Sequence, residues 1–347
     1  MLKKKDSDYL SQVGYEEDKE NRSGSFLIQD SEIKEMESMR EKVELLPLKE
    51  AMEKYDWLKK EIPDVSEEHL GYFMRVKEGE VIETPIQTGF YMKESREQIT
   101  HNYLLAERDS EVRIVTGCTA SIGKGKHVGV SKYDIKEGAK VSVAKVHHWP
   151  SSNTTRSIGK VKVGKEAQFI SNYVAITPIK EETTITDVEI EEGGVASMNS
   201  LVLAREGSEF EVKGQANLKG KGARASILSR AVSKGGKALT DEKIIGNAED
   251  TKGHIECDGL LLNDEGQIDA VPRLEANNSQ TDLSHEAAVG KISQEELNYL
   301  MARGIGEEDA KSLILQGFLD VELEDLPEEV KRRVSAMSNK LSAEGTA

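Results

Sequence analysis

The chain has 347 residues, 37% of them hydrophobic and 32% charged, with a formal net charge of −16. So large an excess of acid argues against nucleic-acid and anionic-membrane ligands, which need clustered Lys and Arg. No run of about 18 apolar residues is present to span a bilayer, the lysine-rich start lacks an apolar signal segment, and the two cysteines, Cys118 and Cys257, read as free thiols of a reducing cytoplasm.

Residues 1–25 read as a disordered N-terminus. Residues 26–80 read as a helical region: "DSEIKEMESMREKVELLPLKEAMEKYDWLKKEI" is rich in Glu, Lys, Met and Leu. Asp30 or Ser31 would cap its first helix, and Leu48, Met52, Tyr55 and Leu58 fall on one helical stripe. From 81 to 285 the texture is that of strands, in segments such as "EVRIVTG", "AKVSVAKVHHW" and "TDVEIEEGGVASMNSLVLA". Glycines recur at Gly138, Gly164 and Gly193, with Gly207 and Gly222 at half-intervals. A repeat of about 26 to 29 residues predicts a mainly β protein whose core is a parallel β-helix, each coil closing its apolar face against the next. An antiparallel sandwich shares the strand texture, but Asn-Gly and Asp-Gly hairpin turns are scarce.

Residues 286–347 read as a C-terminal helical region. Ser293 and Glu296 form a capping box, Gly304 ends the first helix, and Pro327 opens the third. The stripes Leu297, Leu300, Met301; Leu313, Ile314, Phe318; and Val330, Val334, Met337, Leu341 need a surface. They pack on one another and on the β-region, or they dock a partner.

Phosphate-binding and dinucleotide-binding glycine loops, H-E-x-x-H, G-x-S-x-G and C-x-x-C are all absent. Two cysteines cannot make a four-thiolate site. The residues that do carry chemistry gather late. Cys257 precedes His285 by 28 residues, one repeat, so the two would stand on neighbouring rungs about 4.8 Å apart. Glu286 follows His285, and on a strand the two point to opposite faces, so only one shares a face with Cys257. Thiolate, imidazole and carboxylate are all ligands that iron accepts. The plainer reading makes Cys257 a small buried hydrophobe and His285 a hydrogen-bonding residue where the helices begin. Cys118 sits in "VTGCTAS" between glycine-containing turns. His127, His147 and His148 lie on a strand face and at its end; adjacent histidines diverge there, which favours structural roles.

Four segments resemble the SufB/SufD scaffolds of iron–sulfur cluster assembly: "YFMRVKEGEVIETPIQTGFYM", "GCTASIGKGKHVGVSKYDIKEGAKVSVAKVHHW", "HIECDGLLL" and "LSHEAAVGKISQEELNYLMARGIGEEDAKSLILQGF". The resemblance covers most of residues 70–345, and the short length looks like a minimal archaeal type. It implies a right-handed parallel β-helix flanked by N- and C-terminal helices, a homodimer, and C-terminal helices that dock a SufC-like ABC ATPase. It implies a cytoplasmic assembly scaffold rather than an enzyme, serving a sulfur donor and recipient apoproteins. By the same resemblance Cys257 is the sulfur-accepting thiol. With His285 and Glu286 it would be the metal-binding set for a transient cluster, 4Fe–4S or 2Fe–2S. Cys118, in a segment like the family's "GCTAP", would be where sulfur arrives. SufB-type members read Glu-His-Glu where this chain has Ser284, His285 and Glu286; SufD-type members lose the second Glu and commonly the Cys. This chain is therefore closer to SufB, and the alternative is a SufD-like structural or iron-delivery partner that holds no cluster. A β-helical carbohydrate enzyme would need two paired carboxylates, and nothing singles out two.

Overall fold

The computed structural model describes residues 4–16, 22–39, 41–63, 70–319 and 326–343, with only the helical backbone for 337–343. Alternate strands of the chain join alternate sheets, one of ten strands and one of nine. From Tyr72–Val76 to Asp282–Lys291 every pairing within a sheet is parallel, which winds the chain into about eight stacked coils. The register advances 27 to 30 residues per coil: Thr154 lies against Glu181, and Lys252 against Asp282. This is the expected β-helix.

One turn explains why the repeat is only half visible in the sequence. Gly79, Asp109, Gly138, Glu166, Gly193, Gly222 and Asp250 all have φ between 53° and 72° and occupy the same corner of successive coils. The first six also donate their backbone N–H to the next coil, as in Gly138 to Lys165 and Gly193 to Lys221. Glycine takes this left-handed conformation without strain, but Asp and Glu stand in at three corners. Gly164, two residues off the corner, is there because a Cβ would meet the Ile135 carbonyl at 2.8 Å.

Side chains alternating inward fill the space between the sheets. They include Phe26, Tyr72, Phe90, Trp149, Phe169 and Phe210, so the interior is wider than small residues alone would need.

The terminal regions differ from expectation. Lys4–Ser11 is a helix, α1, not disordered, held where Leu10 and Tyr15 pack with Leu27 and Tyr91; residues 1–3 and 17–21 lie outside the described residues. The first half of 26–80 is not helical. Gly24–Gln29 pairs in parallel with Ile86–Met92 and antiparallel with Glu32–Ser38, and Val43–Pro47 is also a strand. Phe26 and Ile28 are drawn into the core, and the Glu- and Lys-rich Glu32–Ser38, itself exposed, is held extended against its helical propensity by pairing with their strand. Asp30 caps no helix. It turns the hairpin at φ 55°, and its Oδ1 accepts the backbone N–H groups of Lys93, Glu94 and Ser95 at 2.8–2.9 Å. Glu32–Ser38 is an exposed edge whose charges discourage further pairing.

The expected stripe of Leu48, Met52, Tyr55 and Leu58 is carried by two short helices, α2 (Leu48–Lys54) and α3 (Asp56–Glu61), which lie against Phe73 and Tyr103. At the other end the β-helix continues past residue 285 to Lys291, because Leu283, His285, Ala287 and Val289 keep the inward register of the coil before. The helices α4 (Gln294–Met301), α5 (Glu307–Leu319) and α6 (Glu328–Ala343) follow. Ser293 accepts the Glu296 N–H at 3.4 Å, as the capping pattern requires. Leu315, Leu319, Val330 and Val334 pack on the outer face of the ten-stranded sheet, with Val146, Val174, Leu203, Val232 and Leu260. Of the stripe expected on α5, Phe318 packs on this face, but Leu313 is 52% exposed and Leu315 and Leu319 are buried in its stead; the side chains of Met337 and Leu341 lie outside the described residues. No helix among the described residues is long and apolar enough to cross a membrane.

Candidate functional site

Cys257 stands on the strand Lys252–Leu261, in the last coil but one of its sheet, facing inward with no exposed surface. In register it lies between Ser229 and Ala287. His285 occupies the final strand in register with Ile255, two residues along from the Cys257 position. Strand spacing and rise put their Cα atoms about 8 Å apart on one inner face. Glu286, in register with Glu256, takes the outer face. The sequence argument that only one of the pair can share the face of Cys257 resolves in favour of His285. Both residues are exposed, because among the described residues no further coil covers the final strand. Among the described residues no group of three or more His, Cys, Asp and Glu side chains is placed to hold a metal ion. One chain alone therefore does not gather Cys257, His285 and Glu286 into a closed ligand set.

Around Cys257 the interior is polar. Ser200 donates to Ser229 at 3.0 Å, and Ser229 to Glu242 of the opposite sheet at 2.8 Å. Burial lifts the Glu242 carboxyl to about 8. Burial, and then the Glu242 charge, push the Cys257 thiol up to about 12, against a hydrogen bond with Thr240 that pulls it down. The resting thiol is therefore protonated.

The column of residues in register with Cys257 is polar along its length: Thr88, Thr116, Lys145, Tyr173, Ser200, Ser229 and Cys257. Cys118 is one inner position away from Thr116 on the same strand, and His147 is its partner in register. A cavity of about 30 Å³, lined by Tyr173, Thr184, Ser200, Ser229 and Glu242 among others, lies along this column. Cys257 thus ends one internal polar row, and Cys118 stands beside the second rung of the same row. Sequence reading missed the row. Its signal was there as polar residues in apolar strands at intervals of 27 to 29, visible only once the register is known.

Outside, Glu256 and Asp258 flank the Cys257 position, and both pair with Arg230 at 2.5 Å. Phe318 of α5 covers that guanidinium, its ring centre 5.2 Å away. Leu260 of the same strand packs with α5 and α6. The C-terminal helices therefore grip the strand that carries the thiol.

Residues 90–318 match the family model for the core domain of SufB and SufD in the SUF system of iron–sulfur cluster assembly. An iron–sulfur cluster assembly SufBD family protein of Archaeoglobus fulgidus is 39% identical, over 95% of this chain and 93% of its own length. One from Methanothermobacter thermautotrophicus is 32% identical, over 94% of this chain and 85% of its own. The iron–sulfur cluster assembly protein SufB of Bacillus subtilis is 29% identical, over 75% of this chain and 57% of its own length.

Proposed function

We propose that this chain, which belongs to the SufB/SufD family of iron–sulfur cluster assembly proteins, is a non-enzymatic scaffold that builds a cluster at the open end of its β-helix. The observation that carries the reading is Cys257 lying one coil beneath an uncovered final strand that brings His285 to its face. Among the described residues both sheets end there on unpaired edges, Gln267–Ala276 and Asp282–Lys291, with Val271 and Val289 40% and 44% exposed. Such an edge calls for a partner strand, and a second copy of the chain would supply one by two-fold contact. Cys257 of one copy would then share the nascent cluster, the cargo of the reaction, with His285 or Glu286 of the other. This supplies the donors that one chain does not gather.

Sulfur taken up at Cys118 would pass along the polar row to Cys257. An ABC-type ATPase docking on α4–α6, where Tyr299, Met301 and Leu313 are exposed, would move the helices that hold the Arg230 clamp and open the thiol. Anaerobic reconstitution tests the scaffold role: Cys257→Ser should lose most bound iron and sulfide while keeping its circular dichroism, and full retention refutes the assignment. The burial of Cys257 favours a second reading, a SufD-like partner without a cluster. That reading holds if the unaltered chain, given the ATPase and ATP, still binds no iron and sulfide.

A further inference from the structure

We infer that His147 and Glu182 form a buried acid–base pair that takes the Cys118 proton, making Cys118 the activated thiol of the chain. Two strands of one sheet and one of the other converge here. Cys118 and His147 are in register on neighbouring strands. Glu182 reaches across from the opposite sheet to hydrogen-bond His147 Nδ1, and Tyr173 donates its hydroxyl to the same carboxylate oxygen at 2.6 Å. His147 and Glu182 are 1% and 2% exposed. The carboxylate fixes the ring, while Nε2 is buried without a hydrogen-bond partner of normal geometry. Nucleophile, base and orienting carboxylate in this order are how proteins ionise a thiol away from water.

The surrounding groups agree with a charged imidazole. Burial alone would lower His147, but Glu182 and then Cys118 raise it to about 9. Lys145, two residues along the same strand, is lowered by burial against the pull of Cys118 and Glu182. His127, its ring tilted against Trp149 with centres 5.3 Å apart, is driven to about 3 by burial and the nearby cations, so it adds no charge. Burial raises the Tyr72, Tyr133 and Tyr173 phenols, which stay neutral.

The site suits sulfane sulfur, carried on a small persulfide R–S–SH. The Cys118 thiolate attacks the terminal sulfur with its lone pair, and the old S–S pair leaves on R–S⁻. His147 returns the proton to that leaving group, and Cys118–S–SH results with no net oxidation. The choice of sulfur species rests on the assembly reading; the proton pair does not.

In a Cys257→Ser chain Cys118 is the only thiol, and its ionisation is read from the ultraviolet absorbance of thiolate against pH. Most of the thiol should be ionised at pH 7. His147→Gln, or Glu182→Gln as a second variant, should return it toward the ordinary level of about 3%, a roughly thirtyfold loss. Absence of thiolate at pH 7, or an unchanged signal in a folded variant, overturns the inference. Ring-nitrogen spectra of the unsubstituted chain need no variant: a histidine still charged at pH 8 supports the pair, and seven neutral rings overturn it. Cluster reconstitution plays no part in either measurement, so this inference and the assembly reading fail separately.

Discussion

Cys257 should be nearly inert until the protein opens. At pH 8 an ordinary thiol, of pKa about 8.5, is about one-quarter ionised. Cys257, held at about 12 by burial and by Glu242, would be ionised to about one part in ten thousand. Alkylation follows the thiolate, so the folded chain should react about two thousand times more slowly than the unfolded one, before steric exclusion adds more. The assay is iodoacetamide labelling of a Cys118→Ser chain, followed by intact mass, with the same chain in denaturant as reference. A folded rate within tenfold of the reference would refute the burial argument. Adding the ATPase and ATP should bring the rate back toward the reference. The same shift has a stability sign. The fold prefers the neutral thiol, so its contribution is complete below the unfolded pKa and is lost as pH rises from about 9 toward 12.

Removing the outer clamp with Arg230→Ala breaks the pairs to Glu256 and Asp258, together worth about 1 kcal/mol, and should speed Cys257 labelling about fivefold without ATP. His148 is held near 4 by burial and by Arg333, whose Nη2 lies 3.0 Å from its Nδ1. Its folded pKa is below the unfolded value, so stability is lost as pH falls from about 6.5 to 4, and His148→Asn should flatten that part of the melting-temperature profile. Phe210→Ala empties a core position 1% exposed and should cost about 3–5 kcal/mol by denaturant titration. Gly220→Ala puts a methyl 1.9 Å from the Glu192 backbone nitrogen, between coils, and should cost about 1–3 kcal/mol.

Much of the fold was legible because stacking repeats its demands. Strand texture and corner glycines gave the β-helix, and the 28-residue gap from Cys257 to His285 gave neighbouring rungs, correct to within two residues of register. What stayed hidden depended on contacts distant in sequence. Gly24–Gln29 is a strand only because Ile86–Met92 lies beside it. Glu182 looks like any surface acid until the opposite sheet places it against His147. Ser200 and Ser229 are unremarkable serines until the register aligns them with Cys257.

The most direct test of an assembly site shared between two copies is complementation in mixed dimers. One chain carries Cys257→Ser, the other His285→Ala with Glu286→Ala, each with its own tag, and iron and sulfide are counted on the doubly purified pair. A site shared across the interface leaves one of two intact, so the mixed dimer should bind about half the iron of the unaltered protein while either variant alone binds almost none. A mixed dimer as empty as the two variants would contradict the account.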